Sequence, residues 1–203
     1  MHVLIDGKVH EPLTPAEEKD VRQFNAEDSV EGSVLSADEA TSARVSQTKR
    51  VLAIFWVIIA VAAAGIASIA EPADLPVVLT VAVVAVGALG AFFAFMIRRR
   101  MQSWRLDLPR RLVGLAPADT AIGVTAAGVA VAGHIFPWST LAIEQVELGK
   151  LSTRYRTMFT LERLTLSGPG GVVVLDPALM RNGHRIIGNA WRRMRLAGSG
   201  VTV

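Results

Sequence analysis

The chain has 203 residues, 51% of them hydrophobic and 19% charged, a balance that excludes a disordered or heavily solvated polypeptide. The absence of cysteine excludes a disulfide scaffold, a thiolate metal centre and a cysteine nucleophile. The net charge of +3 hides two opposed parts: residues 1–48 carry 4 Lys/Arg against 10 Asp/Glu, and residues 49–203 carry 17 against 8.

At the N-terminus, Val3-Leu4-Ile5 and Val9 flank Asp6-Gly7, a pair that accepts the positive φ of a tight hairpin turn. An isolated hairpin is marginal in water, so this one needs a surface to pack on and disorder is the alternative. Thr14-Pro15-Ala16-Glu17 is a capping box with proline at the first helical position, predicting a short acidic helix to about Asn25. Residues 29–35 read as a short strand. Ser36-Ala37-Asp38-Glu39 repeats the capping box, and no Pro or Gly interrupts residues 37–64, which predicts one helix running from Ala37 into an apolar span.

Residues 51–70 and 75–97 are uncharged runs of 20 and 23 residues. At ~1.5 Å per helical residue each crosses a hydrocarbon layer of roughly 30 Å. Lys49 and Arg50 precede the first run; Arg98, Arg99, Arg100, Arg105, Arg110 and Arg111 follow the second; Glu71 and Asp74 lie between. The positive-inside tendency then predicts a transmembrane hairpin with both termini cytoplasmic. Neither run holds an ionisable residue, so an ion or proton path has no candidate there. Ala60, Ala64 and Ser68, and Gly87 and Ala91, recur at four-residue spacing; this suits packing of the two spans on each other, with a docking seam as the alternative.

Beyond Arg111 the pattern turns to short period-two segments between turn residues. Strands are predicted near residues 120–125, 129–133, 141–148, 155–162, 164–167 and 172–175. Gly168-Pro169-Gly170-Gly171 lacks the Lys-Ser/Thr pair of a phosphate loop and reads as a hairpin turn. Asp176-Pro177 supplies a helix start, which Asn182-Gly183 can divide. Ile186, Ile187, Ala190, Trp191 and Met194 form an apolar stripe opposite Arg185, Arg192 and Arg195. The expected architecture is α+β: an N-terminal extension (1–36), a helix leading into the transmembrane hairpin (37–100), and a cytoplasmic antiparallel β-sandwich or partly open barrel capped by a helix (112–203).

Thr125-Ala126-Ala127-Gly128-Val129, then Phe136-Pro137-Trp138-Ser139, then Ile143-Glu144-Gln145-Val146 carry a resemblance to the YcxB-like family of bacterial membrane proteins. The strand and Ser-Ala-Asp-Glu-Ala segment before the spans also resemble its layout, so the likeness covers roughly residues 29–196. It implies a C-terminal fold similar to pleckstrin-homology-like domains, two orthogonal antiparallel sheets closed by a C-terminal helix, and brings no catalytic residues. The N-terminal extension and Gly183 within the last helix depart from the family pattern.

His2, His10, His134 and His184 show no metal-ligand spacing, with His134 placed in the turn before Phe136-Pro137. The six carboxylates after the spans form no acid-base pair, and no serine sits in a nucleophile elbow. No catalytic residue, cofactor or metal is therefore expected. The candidate interaction residues are Arg98, Arg99, Arg100, Trp138, Trp191, Arg192, Arg193 and Arg195: two indoles whose packing reading is core or rim, and arginines suited to anionic lipid at the cytoplasmic leaflet. Cations placed beside spans and mostly not interleaved with aromatics argue against nucleic acid. The expected protein is a non-enzymatic, membrane-anchored interaction module whose partners are the bilayer, a protein or anionic lipid headgroups, with self-association open. The alternative is an assembly or regulatory subunit of a larger membrane complex docking through the hairpin.

Overall fold

A computed structural model describes residues 2–14, 17–18, 21, 27–69, 75–153 and 157–198. The chain divides into two compact units, 1–40 with 110–203, and 41–109. Strands β1 (His2–Ile5), β2 (Lys8–His10) and β3 (Val30–Ser33) precede helices α1 (Ala37–Ile69) and α2 (Leu75–Leu112). Strands β4 (Ala121–Val124), β5 (Gly128–Val131), β6 (His134–Pro137), β7 (Ala142–Ser152), β8 (Thr157–Gly168) and β9 (Gly171–Leu175) follow, and α3 (Gly183–Gly198) closes the order.

In the first unit, two sheets and α3 surround one core. One sheet runs β3-β4-β5-β6, the other β2-β1-β7-β8-β9; neither closes into a barrel among the described residues. Val124, Val129, Val146, Leu148, Leu164 and Leu166 point inward beside Ile186, Ile187 and Trp191 of α3. The apolar stripe read on α3 is therefore the face it buries.

Residues 1–36, read from sequence as an extension, supply three strands to this unit. Asp6 and Gly7 take φ of 49° and 77°, closing the β1–β2 hairpin as its turn residues predict. The surface it needs is the free edge of β7, which β1 joins in parallel, Val3 opposite Val146. This corrects the purely antiparallel sandwich: β1 and β7 are distant in sequence, so no short turn dictates an antiparallel pairing. The strand expected at residues 29–35 is β3, paired with β4 on the far side of both helices. Residues 112–203 alone lack these partners.

The break expected between residues 162 and 164 is a β-bulge within one twelve-residue strand. Leu161 pairs with Leu148 and Arg163 with Glu147, leaving Glu162 as the extra residue. Phe159 and Leu161 before it, and Leu164 and Leu166 after it, bury the same face; the one-residue phase change reads as a strand end in sequence. His134 corrects in the same direction. The turn is Ala132-Gly133, with φ of 51° and 81°, and His134 begins β6 opposite Val131. Asn182-Gly183 does divide the C-terminal segment: Pro177–Leu179 is a 3-10 turn capped by Asp176, and Gly183 opens α3.

The second unit contains most of α1 and α2. The Ser36 hydroxyl accepts from the Glu39 N–H at 3.2 Å, and the Glu39 carboxylate accepts from the Ser36 N–H at 3.1 Å, which is the reciprocal capping box at the start of α1. Among the described residues, the helical stretch Ala37–Gly65 is long and apolar enough to cross a membrane, and none of its apolar window is buried. The helix α2 carries the second uncharged run and continues past Arg100 to Leu112. The two helices touch along opposed chain directions: the Trp104 indole donates to the Thr41 hydroxyl at 3.4 Å, the Phe55 and Phe93 ring centroids are 4.0 Å apart, and Gly90 faces Trp56.

Gly32 is the most closely approached of the described glycines. A Cβ there would lie 2.0 Å from the Arg181 carbonyl oxygen and 2.8 Å from Ile186 Cδ1. Gly32→Ala is expected to cost about 1–3 kcal/mol through forced separation of β3 from the segment before α3, read as a lowered unfolding midpoint. An unchanged midpoint contradicts this packing.

Candidate functional site

The candidate residues fall into the two units. Arg98, Arg99 and Arg100 lie exposed on α2, whereas Trp138, Trp191, Arg192, Arg193 and Arg195 belong to the sheet-and-helix unit.

In that unit Trp191 is 2% exposed and fills the core between the sheets beside Ile187 and Met194, as its position on the stripe predicts. Trp138 is half-buried at the sheet rim, where its indole donates to the Thr125 carbonyl at 3.0 Å. Both indoles act in packing; neither is presented as an open aromatic platform.

The arginines of α3 engage the acidic N-terminal segment. Arg185 forms an ion pair with Glu27, donating from Nε at 2.8 Å, and this carboxylate raises the arginine pKa further. Arg193 donates to the Glu27 and Asp28 carbonyls at 3.2 Å each, and Arg195 pairs with Glu18. Asn189, 3% exposed, accepts from the Glu27 N–H at 3.2 Å and returns a hydrogen bond to Arg185 O. Of the three candidates on α3, Arg193 and Arg195 therefore hold the chain's own acidic segment, and Arg192 is exposed. The opposition of charge between the two parts of the sequence signalled this; which arginine meets which carboxylate required the fold.

A second polar cluster went unread in the sequence. Asp176, fully buried, accepts from both sides: Arg111 at 3.0 and 3.3 Å and the Ala178 N–H at 2.9 Å. Arg111 also reaches the bulged Glu162 at 3.5 Å. Burial pushes the Asp176 carboxyl above the usual carboxylate range, against the pull of Arg111 and the Ala178 N–H. The cluster ties the end of α2 to the turn after β9, and its partners are spent on one another.

In the helical unit, α1 and α2 enclose a groove of about 550 Å³. One end is polar, lined by Arg44, Gln47, Thr48, Arg99, Arg100 and Ser103; the other is apolar, lined by Val51, Leu52, Phe55, Phe92, Phe93, Met96 and Ile97. Arg44 stacks over the Trp104 ring with its guanidinium carbon 4.4 Å from the centroid. Arg99 and Arg100 were candidates; Arg44 was not, because its partner indole is sixty residues away in sequence.

Among the described residues no three His, Asp or Glu side chains converge on a metal-sized site. His134 lies exposed on β6 with its ring edge-on to Phe136 at 4.9 Å. No protein-family model, curated protein or solved structure matches the chain.

The raised Asp176 pKa fixes a sign. As pH rises, the unfolded carboxyl ionises before the folded one, so this group's contribution to stability is greatest in acid and declines through the raised pKa. The stability of Asp176→Asn relative to the parent is expected to improve from acid to neutral pH in parallel denaturation curves. Asp176→Ala, which removes the acceptor for Arg111 and Ala178, is expected to cost about 3–5 kcal/mol. A constant difference between parent and Asn variant across pH contradicts the assigned shift.

Proposed function

We propose that the protein is a non-enzymatic interaction module anchored in a bacterial inner membrane by two crossings, with its sheet-and-helix unit in the cytoplasm, where it engages a protein partner or anionic lipid. One observation carries the even number of crossings: β3 and β4 pair with each other on either side of the helical insertion. The Val34 N–H donates to Thr120 O at 3.0 Å and the Asp119 N–H to Val34 O at 2.9 Å, so the chain leaves and re-enters one folded unit at one point. Such a chain crosses a membrane an even number of times, and a crossing α1 requires a returning α2. The apolar side chains agree: Val57, Ile58 and Val61 on α1, and Val81, Val83 and Val84 on α2, are each more than 60% exposed and suit hydrocarbon. The basic residues at both polar ends favour the cytoplasmic side.

Four strands in one sheet, β7–β9 in the other and a closing helix support the pleckstrin-homology-like reading, with β1 and β2 as an added edge. Relationship to the YcxB-like family belongs to the same proposal. A protein partner has sheet edges to pair with, at β9 with Val172 exposed and at β6 with Ile135 exposed. The face of α3 bearing Arg185, Arg193 and Arg195 is already engaged by Glu18, Glu27 and Asp28.

A second reading, an assembly subunit docking through the helices, is favoured by Gly87. Its expected packing against the other helix falls to Gly90, where a Cβ would sit 3.2 Å from the Trp56 ring; around Gly87 there is open space.

The cysteine-free sequence permits a clean topology test. A single cysteine at position 73 is expected to react with an impermeant thiol reagent in intact cells, and cysteines at 38 or 103 only after permeabilisation; labelling of all three in intact cells would overturn the orientation. Crosslinking of the full chain in native membranes separates the two readings. A module working through its sheets keeps its partner in Gly87→Leu, whereas a docking subunit loses the partner while the variant remains in the membrane.

A further inference from the structure

The groove between α1 and α2 is graded along its length. Three cations, Arg44, Arg99 and Arg100, stand at one end, and the lining turns wholly apolar from Val51 to Phe55 on α1 and from Ile97 back to Phe92 on α2. From Val51 to Phe55 the helix rises roughly 6 Å, so the apolar lining occupies the outer part of one leaflet. On the membrane-anchored reading, on which this inference rests, Lys49 and Arg50 mark the interface, so the cations lie at headgroup depth and the apolar part lies within one leaflet. A volume of about 550 Å³ is in the range of small-molecule sites.

We propose that this groove holds one anionic phospholipid, its phosphate seated among Arg44, Arg99 and Arg100 and an acyl chain lying along Val51, Phe55 and Met96. Two features distinguish it from general attraction of basic residues to an anionic surface. Arg44 is fixed by stacking on Trp104, whose indole is itself held by the Thr41 hydroxyl, so its guanidinium is placed before a ligand arrives. The apolar wall also continues directly from the cationic end, complementary to a molecule with one charged and one hydrocarbon part.

The test uses the full-length chain, first assigned to the membrane by its resistance to alkaline extraction, then purified in mild detergent and examined by native mass spectrometry. Phosphatidylglycerol and phosphatidylcholine of the same chain length are supplied as probes. The expected result is one retained phosphatidylglycerol per chain, phosphatidylcholine retained at least tenfold less, and a tenfold or greater loss of phosphatidylglycerol in Arg99→Gln/Arg100→Gln and in Arg44→Gln. Arg98→Gln/Arg105→Gln, which removes the same charge outside the groove, is expected to bind as the parent does. Equal retention of both lipids, equal loss in the control variant, or a lipid-free dimer overturns the lipid site while leaving the anchored reading standing. Release of the chain by alkaline extraction overturns both.

Discussion

The pairing of β3 with β4 is the constraint on which the rest depends. Val30 lies opposite Val124 and Ser33 opposite Ala121, and between these strands the chain spends its two longest helices. Ladder hydrogen bonds continue one residue beyond the strands, through Val34, Asp119 and Thr120, so both ends of the helical insertion are fixed in register. Ser36 then starts α1 by its reciprocal cap within three residues of the sheet, leaving almost no slack at the entry. At the exit, Arg111 is seated on buried Asp176, and Arg163 donates to the carbonyls of Arg110 and Val113.

In the other half of the first unit, charge pairs cross its own surface. The face of α3 opposite its apolar stripe would be strongly cationic in isolation, yet Glu18, Glu27 and the carbonyls of Glu27 and Asp28 lie against Arg195, Arg185 and Arg193. Exposed pairs of this kind contribute little each. Here the better anchors are Asn189, almost wholly buried with both amide functions used, and Val21, buried in the core. The arginines orient the segment; the buried contacts hold it.

Local features of the fold were legible in sequence where one short-range rule suffices: the Asp6-Gly7 turn, the Ser36–Glu39 cap, the helix running on from Ala37, the stripe on α3 and the break at Asn182-Gly183. Each depends on residues within one turn of one another. The misread features all depend on something distant. The Glu162 bulge is a strand end until β7 supplies Leu148 and Glu147 as partners on either side of it. His134 belongs to a strand because β5 stands beside it, although in sequence it reads as part of the turn before Phe136-Pro137. Of the site, the arginines of α2 were visible as a basic run, whereas Arg44 acquires its position only when Trp104 comes alongside, and the role of Arg193 only when residues 27 and 28 cross it.

A sheet interrupted by its own longest helices also imposes an order on biosynthesis. β3 leaves the ribosome without a partner and must wait for β4; at ~5–20 residues per second the stretch from Ser33 to Ala121 takes roughly 4–18 s to make. Strand pairing itself is orders of magnitude faster, so synthesis and not folding sets that interval. Gly32 has a further wait, since the Arg181 segment that closes over it is translated almost last. On the anchored reading both helices are therefore available to the insertion machinery while the strands on either side of them are still unpaired. A chain stalled before α3 is complete would leave the inner faces of both sheets without the Ile186, Ile187 and Trp191 side chains that cover them.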